Sequence, residues 1–520
     1  MRKANIGRLP DLGLAASPNL RRSSQHRPIV WSIAASDSGG GAGIQADVLT
    51  LHDLGCHGCT VLSAITAQNS GAVQATEPVS TAMLQQQLAA LAEDLPPQVI
   101  KLGLLPDAAG IALLADWLQA FKARHPVLVV ADPVLGSSSG SQWHHDALLD
   151  AWRALLPLID VLTPNLPELA LLSGRASQPL DQQVALLQAL GGSAVLVKGG
   201  HASDSKQVTD LLYPADPDQQ VIALSNPRLA SRHQHGTGCV LASALAAFLA
   251  HQYPLEDALV LARAYLQQSL AHGYATGQGP GALGHCGWPV KPNYLPSIHS
   301  SHWPKAPANP FVGLSEPLGV YPVVDSIAWL ERLVPLKPGC IQLRIKAAPS
   351  PEISDAIAMA VVLCRQHQVR LFINDHWQLA IEHGAYGVHL GQEDLHSADL
   401  EAIQQAGLLL GLSSHGPFEL TRALQLRPSY VALGHVFPTQ TKLMPSQPQG
   451  LQRLALSVPL CGETPTVAIG GIGAEHFAAV CASKVHGVAM VSAITATEQP
   501  EQQLQHFKRL WEQHHAYHRQ

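Results

Sequence analysis

Charged and aromatic residues are scarce in this chain of 520 residues, at 13% and 5%. The formal net charge is −6, and no basic stretch is interleaved with aromatic residues, which argues against a general nucleic-acid binder. No uninterrupted apolar run is long enough to cross a bilayer, so no membrane partner is expected. Abundant Ala, Leu, Gly and Pro are typical of compact soluble α/β enzymes.

Cysteine is also sparse, with eight copies in the whole chain, which excludes a small disulfide-stapled scaffold. Most copies lie inside apolar runs, so a reducing, cytoplasmic location is expected. Cys56 and Cys59 form a Cys-x-x-Cys that would suit a redox or zinc site, but no second pair follows, and two buried cysteines are the favoured interpretation. Residues 1–27 are predicted to be a flexible extension rather than a transit peptide, because Asp11 and two prolines interrupt any amphipathic helix.

Apolar runs alternate with helix-forming stretches twice along the chain. Six runs precede residue 198 (29–35, 60–67, 99–105, 127–134, 161–163 and 194–197), and eight follow residue 317 (318–325, 341–346, 370–375, 387–391, 408–414, 430–437, 466–471 and 487–492). The first set predicts a doubly wound α/β domain over 28–285, and the second a (β/α)₈ barrel over 316–515. Prolines accumulate between them, so 286–315 is predicted to be a linker. No internal repeat relates the halves, which indicates a fusion of two unlike enzymes.

A glycine-rich turn, His235 to Cys239, leads into the alanine-rich stretch 240–250 of the first half. Such a turn presents free N–H groups to an anion such as a transferring phosphate, and the helix start favours the thiolate of Cys239, a candidate general base. The alternative is a glycine N-cap turn with a buried cysteine. Lys198 ends a buried strand, where it suits nucleotide phosphates. Asn165 and Glu168 follow another strand with spacing suited to Mg²⁺ held through waters.

These motifs, with the loop Ser36 to Asp47 after the first strand, resemble hydroxymethylpyrimidine/phosphomethylpyrimidine kinases of the ribokinase-like fold over about residues 28–285. The resemblance implies ATP as phosphoryl donor and an α/β/α domain. The implied roles are aminopyrimidine binding by Gln45, ATP binding by Lys198 and Thr237, metal surroundings at Asn165 and Glu168, an anion hole at Gly236 to Gly238, and base catalysis by Cys239. Related sugar kinases often carry aspartate as the base, so cysteine favours the pyrimidine branch.

In the second half, polar residues end nearly every predicted strand, where barrels place catalytic groups. Gln342, Arg344 and Lys346 alternate along one strand, so they are predicted to share a side and cradle a pyrophosphate, although pairing with local carboxylates is the common alternative. Asp375 and Asp394 end consecutive strands and can share one Mg²⁺.

Residues 316–510 resemble thiamine phosphate synthase, a TIM-barrel enzyme. The resemblance implies the following sites: diphosphate at Gln342, Arg344, Lys346, Asn374 and Lys442; Mg²⁺ at Asp375 and Asp394; pyrimidine or diphosphate at Ser413, Thr439 and Thr441; thiazole phosphate at Gly471, Val491 and Ser492. The implied mechanism is dissociative and needs no protein nucleophile.

Together the halves predict a cytoplasmic bifunctional enzyme that phosphorylates hydroxymethylpyrimidine twice with ATP and couples the diphosphate to thiazole phosphate. Its expected partners are small molecules and Mg²⁺, and the oligomeric state stays open, a homo-oligomer included. One alternative is a pyridoxal-type vitamin kinase, which relative activity on the two alcohols would separate. Another is a catalytically silent, ligand-binding barrel, which metal-dependent product formation would exclude.

Overall fold

The computed structural model describes residues 27–136, 143–200, 206–300, 303–439 and 447–517, with side chains to residue 514. The predicted extension, 1–27, lies almost wholly outside the described residues. No described helix is long and apolar enough to cross a membrane. Both predicted architectures, the doubly wound α/β/α domain and the (β/α)₈ barrel, are confirmed.

The first domain alternates strands with helices. Its strands are β1 (Ile29–Asp37), β2 (His57–Gln68), β3 (Val73–Pro78), β4 (Val99–Leu102), β5 (Leu128–Ala131), β6 (Val161–Leu162), β7 (Ala194–Val197), β8 (Gln207–Tyr213), β9 (Ile222–Pro227) and β10 (Ser297–His299). Its helices are α1 (Gly43–Asp53), α2 (Thr81–Asp94), α3 (Ala108–Lys122), α4 (Asp146–Leu155), α5 (Leu166–Ser173), α6 (Leu180–Gly191), α7 (Thr237–Ala250) and α8 (Leu255–Ala271).

Within the described ranges these ten strands form one sheet in the order β10-β9-β8-β7-β6-β5-β4-β1-β2-β3. The six predicted strands form its parallel centre, and β3, β8, β9 and β10 add antiparallel margins. Helix α7 lies against this centre and is buried from Val240 to Ala250, because its alanines let it pack closely on the sheet and on α8. The N-terminus of α7 therefore meets the carboxyl ends of the parallel strands, where such folds bind ligands.

The segment predicted as a linker, 286–315, is not a plain spacer. Its strand β10 pairs antiparallel with β9 and extends the sheet of the first domain. Phe311 lies in the buried core, and its backbone N–H donates to the carbonyl of Arg427 in the second domain. This strand was not predicted, because the segment is rich in proline and the strand has only three residues.

The second domain is a closed barrel of eight parallel strands among the residues described. The strands are β11 (Gly319–Val324), β12 (Cys340–Leu343), β13 (Arg370–Asn374), β14 (Gly387–Leu390), β15 (Leu409–Ser414), β16 (Tyr430–Leu433), β17 (Thr466–Ile469) and β18 (Gly487–Met490). The helices are α9 (Ile327–Leu333), α10 (Pro351–Gln366), α11 (Trp377–Glu382), α12 (Leu400–Gln405), α13 (Pro417–Gln425), α14 (Gly450–Leu460), α15 (Ala474–Ala482), α16 (Ser492–Thr495) and α17 (Pro500–Tyr517). All eight predicted strands are present.

Candidate active sites

A cavity of about 890 Å³ opens where the parallel strands of the first domain end. The predicted residues Lys198, Gly236, Thr237, Gly238 and Cys239 all line it, and so do Asn165 and Glu168. These residues, which are far apart in sequence, therefore meet at one cavity, and their roles stay predictions.

The turn before α7 depends on glycine at one position. Gly236 has φ of 85°, a left-handed conformation that other residues rarely adopt, and an added Cβ would overlap the carbonyl oxygen of Gly41. The turn thus packs directly on the loop after β1. Asp37 ends β1, and its carboxylate accepts hydrogen bonds from the backbone of Gly39 and Ala42 at 2.8 and 2.9 Å. His235 Nε2 lies 3.1 Å from the same carboxylate, so this contact joins both glycine-rich segments.

Lys198 meets two carboxylates in the cavity. Its Nζ contacts Asp132 Oδ1 directly and lies 3.8 Å from Glu168 Oε2. Burial alone lowers the pKa of Lys198, but Asp132 and Glu168 raise it above its usual value, so the ammonium stays charged. Sequence reasoning missed Asp132, although it directly follows the buried strand β5, the same signal that selected Lys198.

Asn165 and Glu168 form a capping box at the start of α5. Asn165 Oδ1 accepts from the backbone of Glu168 at 2.9 Å, and Glu168 Oε2 accepts from the backbone of Asn165 at 2.8 Å. Burial raises the pKa of Glu168 to about 7, against the lowering effect of Lys198. One oxygen of each side chain is therefore committed to the helix, which leaves contact with a metal through water as the arrangement that fits.

The ionisation of the Cys239 thiol differs from the expectation. Burial raises the pKa of its thiol to about 11, although Lys101 opposes that rise, so the expectation that the helix start favours the thiolate is wrong for this structure. Lys101 belongs to the segment Lys101 to Gly103 that also carries the kinase resemblance, but no role was expected for it. It is fully buried, and its Nζ lies 2.7 Å from Asp47 Oδ2. Asp47 also accepts from Ser243, one helical turn after Cys239, at 2.7 Å.

Gln45 does not take the place expected of it. Its Oε1 accepts from the backbone of Asp37 at 2.9 Å, and its Nε2 donates to Ser36 Oγ at 2.8 Å. Gln45 is absent from the cavity lining among the described residues. Gln68 and His235 do line the cavity, and their Nε2 atoms lie 3.2 Å apart. The side-chain amide of Gln45 therefore stabilises the loop between β1 and α1 through these two hydrogen bonds.

At the mouth of the barrel, Asp375 and Asp394 lie side by side as predicted. Burial and then the neighbouring Asp394 raise the pKa of Asp375 to about 6, while Arg344 opposes the rise. Asp375 also has φ of 63°, a strained conformation of a kind that recurs at functional sites. Two adjacent carboxylates form an all-oxygen donor set that suits Mg²⁺.

Only one of the three residues predicted to bind pyrophosphate, Gln342, lies on a strand. β12 ends at Leu343, so Arg344 and Lys346 follow the strand instead of alternating along it. Gln342 is buried inside the barrel, whereas Lys346 is exposed. The three side chains therefore do not share one strand face, because the chain leaves the sheet between them.

A chain of hydrogen bonds that sequence reasoning missed crosses the barrel interior. Gln342 Nε2 donates to Tyr321 Oη at 3.1 Å, and Tyr321 Oη lies 2.9 Å from Tyr430 Oη. His389 then contacts Tyr430 Oη through Nδ1 and Ser413 Oγ through Nε2, at 2.9 Å each. Burial and Arg344 lower the pKa of His389 to about 4, so it is neutral. This relay links Gln342 on β12 to Ser413 on β15, two predicted site residues.

The remaining predicted residues lie at the same end of the barrel. Asn374 is the last residue of β13, Thr439 follows β16, Gly471 follows β17 with φ of 64°, and Val491 and Ser492 follow β18. Thr441 and Lys442 lie outside the described residues. Within those residues, no group of three or more His, Cys, Asp or Glu side chains could hold a metal ion, and the carboxylate pair stays a predicted Mg²⁺ site.

Comparison with known proteins identifies the second domain. The sequence profile described as thiamine monophosphate synthase matches residues 320–494. The thiamine-phosphate synthase of Citrobacter koseri is 55% identical over 195 residues, which are 38% of this chain and 90% of that protein. That of Klebsiella pneumoniae subsp. pneumoniae is 58% identical over 178 residues, 34% of this chain and 84% of that protein. The chain belongs to the thiamine-phosphate synthase family.

The domain ahead of the synthase domain has relatives of its own. The profile described as phosphomethylpyrimidine kinase matches residues 37–284. The solved phosphomethylpyrimidine kinase from Clostridium difficile 630 is 31% identical with a TM-score of 0.40, over 46% of this chain and 98% of that one. A pyridoxal kinase from Staphylococcus aureus is 25% identical with a TM-score of 0.45, over 53% and 98%. The chain is thus a bifunctional enzyme of thiamine biosynthesis with a kinase domain and a synthase domain.

Proposed function

We propose that the two sites act in sequence on one pyrimidine in the cytoplasm. The kinase domain transfers phosphate from ATP to hydroxymethylpyrimidine and then to its monophosphate. The synthase domain joins the resulting diphosphate to hydroxyethylthiazole phosphate, releasing pyrophosphate. The eight cysteines, none in a disulfide, fit that location.

In the first phosphorylation, the substrate hydroxyl oxygen attacks the γ-phosphorus of ATP, its proton passes to Cys239 in the thiolate form, which becomes the thiol, and ADP leaves. The N–H groups of Gly236 to Gly238 and the ammonium of Lys198 stabilise the charge on the transferring phosphate. Asp132 holds Lys198 until the nucleotide phosphates take over that ammonium. In the second phosphorylation the acceptor is an ionised phosphate, which needs little deprotonation.

Mg²⁺ fits both sites by the chemistry of their donors. Asp375 and Asp394 would hold it in the synthase domain, and Asn165 and Glu168 would surround it through waters in the kinase domain. When bound, the ion neutralises charge on the phosphates that leave or transfer.

In the condensation, the bond from the pyrimidine methylene carbon to the diphosphate oxygen breaks, and the thiazole nitrogen bonds to that carbon. Gln342, Arg344, Lys346 and Asn374 stabilise the departing diphosphate. Ser413 contacts the pyrimidine or the diphosphate, and the relay fixes the side chains of Gln342 and Ser413. Gly471, Val491 and Ser492 receive the thiazole phosphate. No proton needs to move, which fits a neutral His389 in a buried relay.

The observation that carries this proposal is the adjacent carboxylate pair beside Arg344 at the mouth of a barrel of this family. The kinase substrate is tested by competition: hydroxymethylpyrimidine and pyridoxal are offered together with ATP, and both phosphorylated products are followed by mass spectrometry. We expect the pyrimidine products to dominate. Preferential phosphorylation of pyridoxal would assign the first domain to the vitamin-kinase alternative.

A further inference from the structure

The two domains contact each other between the turn after α7 of the kinase domain and the catalytic end of the barrel. Helix α7 starts at the kinase cavity and runs 14 residues, about 21 Å, to the turn His251–Pro254. This turn and the start of α8 contact the first residues of α13 and α14, the helices that follow β15 and β16. Since barrel helices begin at the catalytic end of the barrel, the kinase domain contacts the rim of the synthase site with the end remote from its own cavity.

At this rim, Asp257 of the kinase domain caps a helix of the synthase domain. The backbone N–H of Phe418, in the first turn of α13, donates to Asp257 Oδ1 at 2.7 Å. The N-cap position of α13 is Gly416, which has no side chain to accept that bond. A Cβ on Gly416 would overlap the Asp257 carboxylate, although the extended backbone there (φ −170°, ψ 176°) suits any residue. Asp257 therefore occupies the place of an N-cap side chain, supplied from the other domain.

The capped helix start is directly connected to a predicted substrate residue. Ser413 lies three residues before Gly416 and bonds to His389 at 2.9 Å, and its carbonyl accepts from Gln392 Nε2 at 2.6 Å. Between them, His415 donates from its backbone to Glu419 Oε2 at 2.7 Å. The short loop is thus fixed at both ends, by the relay and by the cap.

A second contact of the same turn supports the neighbouring helix. Arg453, in the first turn of α14, donates to the carbonyl of His251 at 2.8 Å, and its guanidinium lies 4.1 Å from the centre of the Tyr253 ring. α14 follows the segment that carries Thr439. The kinase domain therefore holds the starts of two helices whose preceding loops carry predicted substrate residues.

We propose that Asp257 is a positioning residue for the synthase reaction, acting through α13 and the loop after Ser413. The kinase domain thereby supplies a structural part of the synthase site as well as its substrate. The inference rests on the proposed synthase function.

The test uses the full chain and supplies pyrimidine diphosphate and thiazole phosphate directly, so that the kinase step is bypassed. We expect Asp257→Ala to lower synthase kcat/KM by about 2- to 30-fold, mainly through KM for the pyrimidine diphosphate. This is the fold-change equivalent to the stability that a helix loses with its N-cap. Asp257→Asn keeps an acceptor oxygen, so this variant should retain most of the wild-type synthase kcat/KM. ADP formation from hydroxymethylpyrimidine and ATP should be unchanged in both variants.

A compensating variant separates this role from general damage. Gly416→Ser added to Asp257→Ala gives α13 its own N-cap in the space that the carboxylate leaves, and synthase kcat/KM should recover. Gln425→Ala is the matched control, because Gln425 bonds Ile298 across the same interface at 2.8 and 3.0 Å but at the other end of α13. It should leave synthase kcat/KM within about twofold, less than a lost hydrogen bond at the site.

Four results would overturn the inference. Wild-type kinetics in Asp257→Ala would show that the cap does not matter to the reaction. A double variant no better than Asp257→Ala, or an equal loss in Gln425→Ala, would assign the effect to domain docking in general. If the wild-type chain makes no thiamine phosphate from the supplied substrates, the proposed synthase function itself fails and the inference falls with it.

Discussion

The kinase cavity and the barrel mouth are both proposed binding sites for phosphorylated substrates, but their charged side chains are arranged differently. In the kinase domain, two buried ammonium groups are paired with carboxylates inside the protein: Lys198 with Asp132, and Lys101 with Asp47. At the barrel mouth two carboxylates face each other, and neither Arg344 nor Lys346 forms an ion pair within the described residues.

This difference follows from what each site must hold. Paired charges in the kinase cavity keep it ordered while nucleotide and acceptor exchange, because an unpaired buried charge is costly. At the barrel mouth Arg344 opposes only part of the rise in the pKa of Asp375, so in the proposed mechanism a metal ion and a diphosphate would complete the neutralisation. The kinase site is therefore expected to depend on its proton acceptor, and the synthase site on its metal.

One of the two largest expected effects is on the metal dependence of the synthase. Asp375→Asn should lower thiamine phosphate formation from supplied substrates by about 10³-fold, since a bound metal contributes several kcal/mol to such a reaction. Asparagine tolerates the left-handed backbone at this position, so the fold should persist. Kinase activity of the same protein is the control. Unchanged synthase activity at limiting Mg²⁺ would contradict the metal assignment.

Removal of the proposed base should separate the two kinase steps. Cys239→Ala is expected to slow the first phosphorylation by about 10²- to 10⁴-fold, the usual contribution of a general base. The second phosphorylation should fall far less, because its acceptor is already ionised. Single-turnover assays on the alcohol and on the monophosphate measure both rates. An equal fall in the two would show that Cys239 is not the base.

The pH dependence of the first step should follow the thiol. With the pKa of Cys239 raised to about 11 by burial, the thiol is protonated at neutral pH, and the thiolate fraction rises as pH rises. The first phosphorylation should therefore increase about tenfold per pH unit from pH 6.5 to 8.5. The second should change little. A flat first step would indicate that the bound substrates lower this pKa or that another group accepts the proton.

The smallest expected effect concerns the relay inside the barrel. His389→Leu should cost about tenfold in synthase kcat/KM, because Ser413 and Tyr430 each lose a buried hydrogen-bond partner. His389→Gln offers one donor and one acceptor and serves as the matched variant. If His389→Leu matches the wild type, the relay does not position substrate residues.

The barrel was predictable because each strand is a short apolar run that ends in polar residues, and the strand-end rule placed Asp375 beside Asp394. The antiparallel margins β3, β8, β9 and β10 escaped prediction because they are partly exposed or very short. Side-chain partners far apart in sequence escaped too: Tyr321 meets Tyr430 across 109 residues, a pairing that depends on barrel closure rather than on any local pattern.

The kinase domain shows the same limit. Its glycine-rich turn and Lys198 were found from local sequence, whereas the effect of burial on Cys239 depends on everything packed around α7. The role expected of Gln45 conflicts with hydrogen bonds that only the folded loop forms. Local motifs therefore located both sites, and tertiary packing determined the ionisation and orientation of their residues.

The most direct test of the account is one reaction with the purified protein. Hydroxymethylpyrimidine, ATP, Mg²⁺ and thiazole phosphate are combined, and thiamine phosphate is followed by mass spectrometry, with controls that omit each component. We expect product only when all four are present. Accumulation of pyrimidine diphosphate without thiamine phosphate would contradict the account, since it would leave the barrel a binding module.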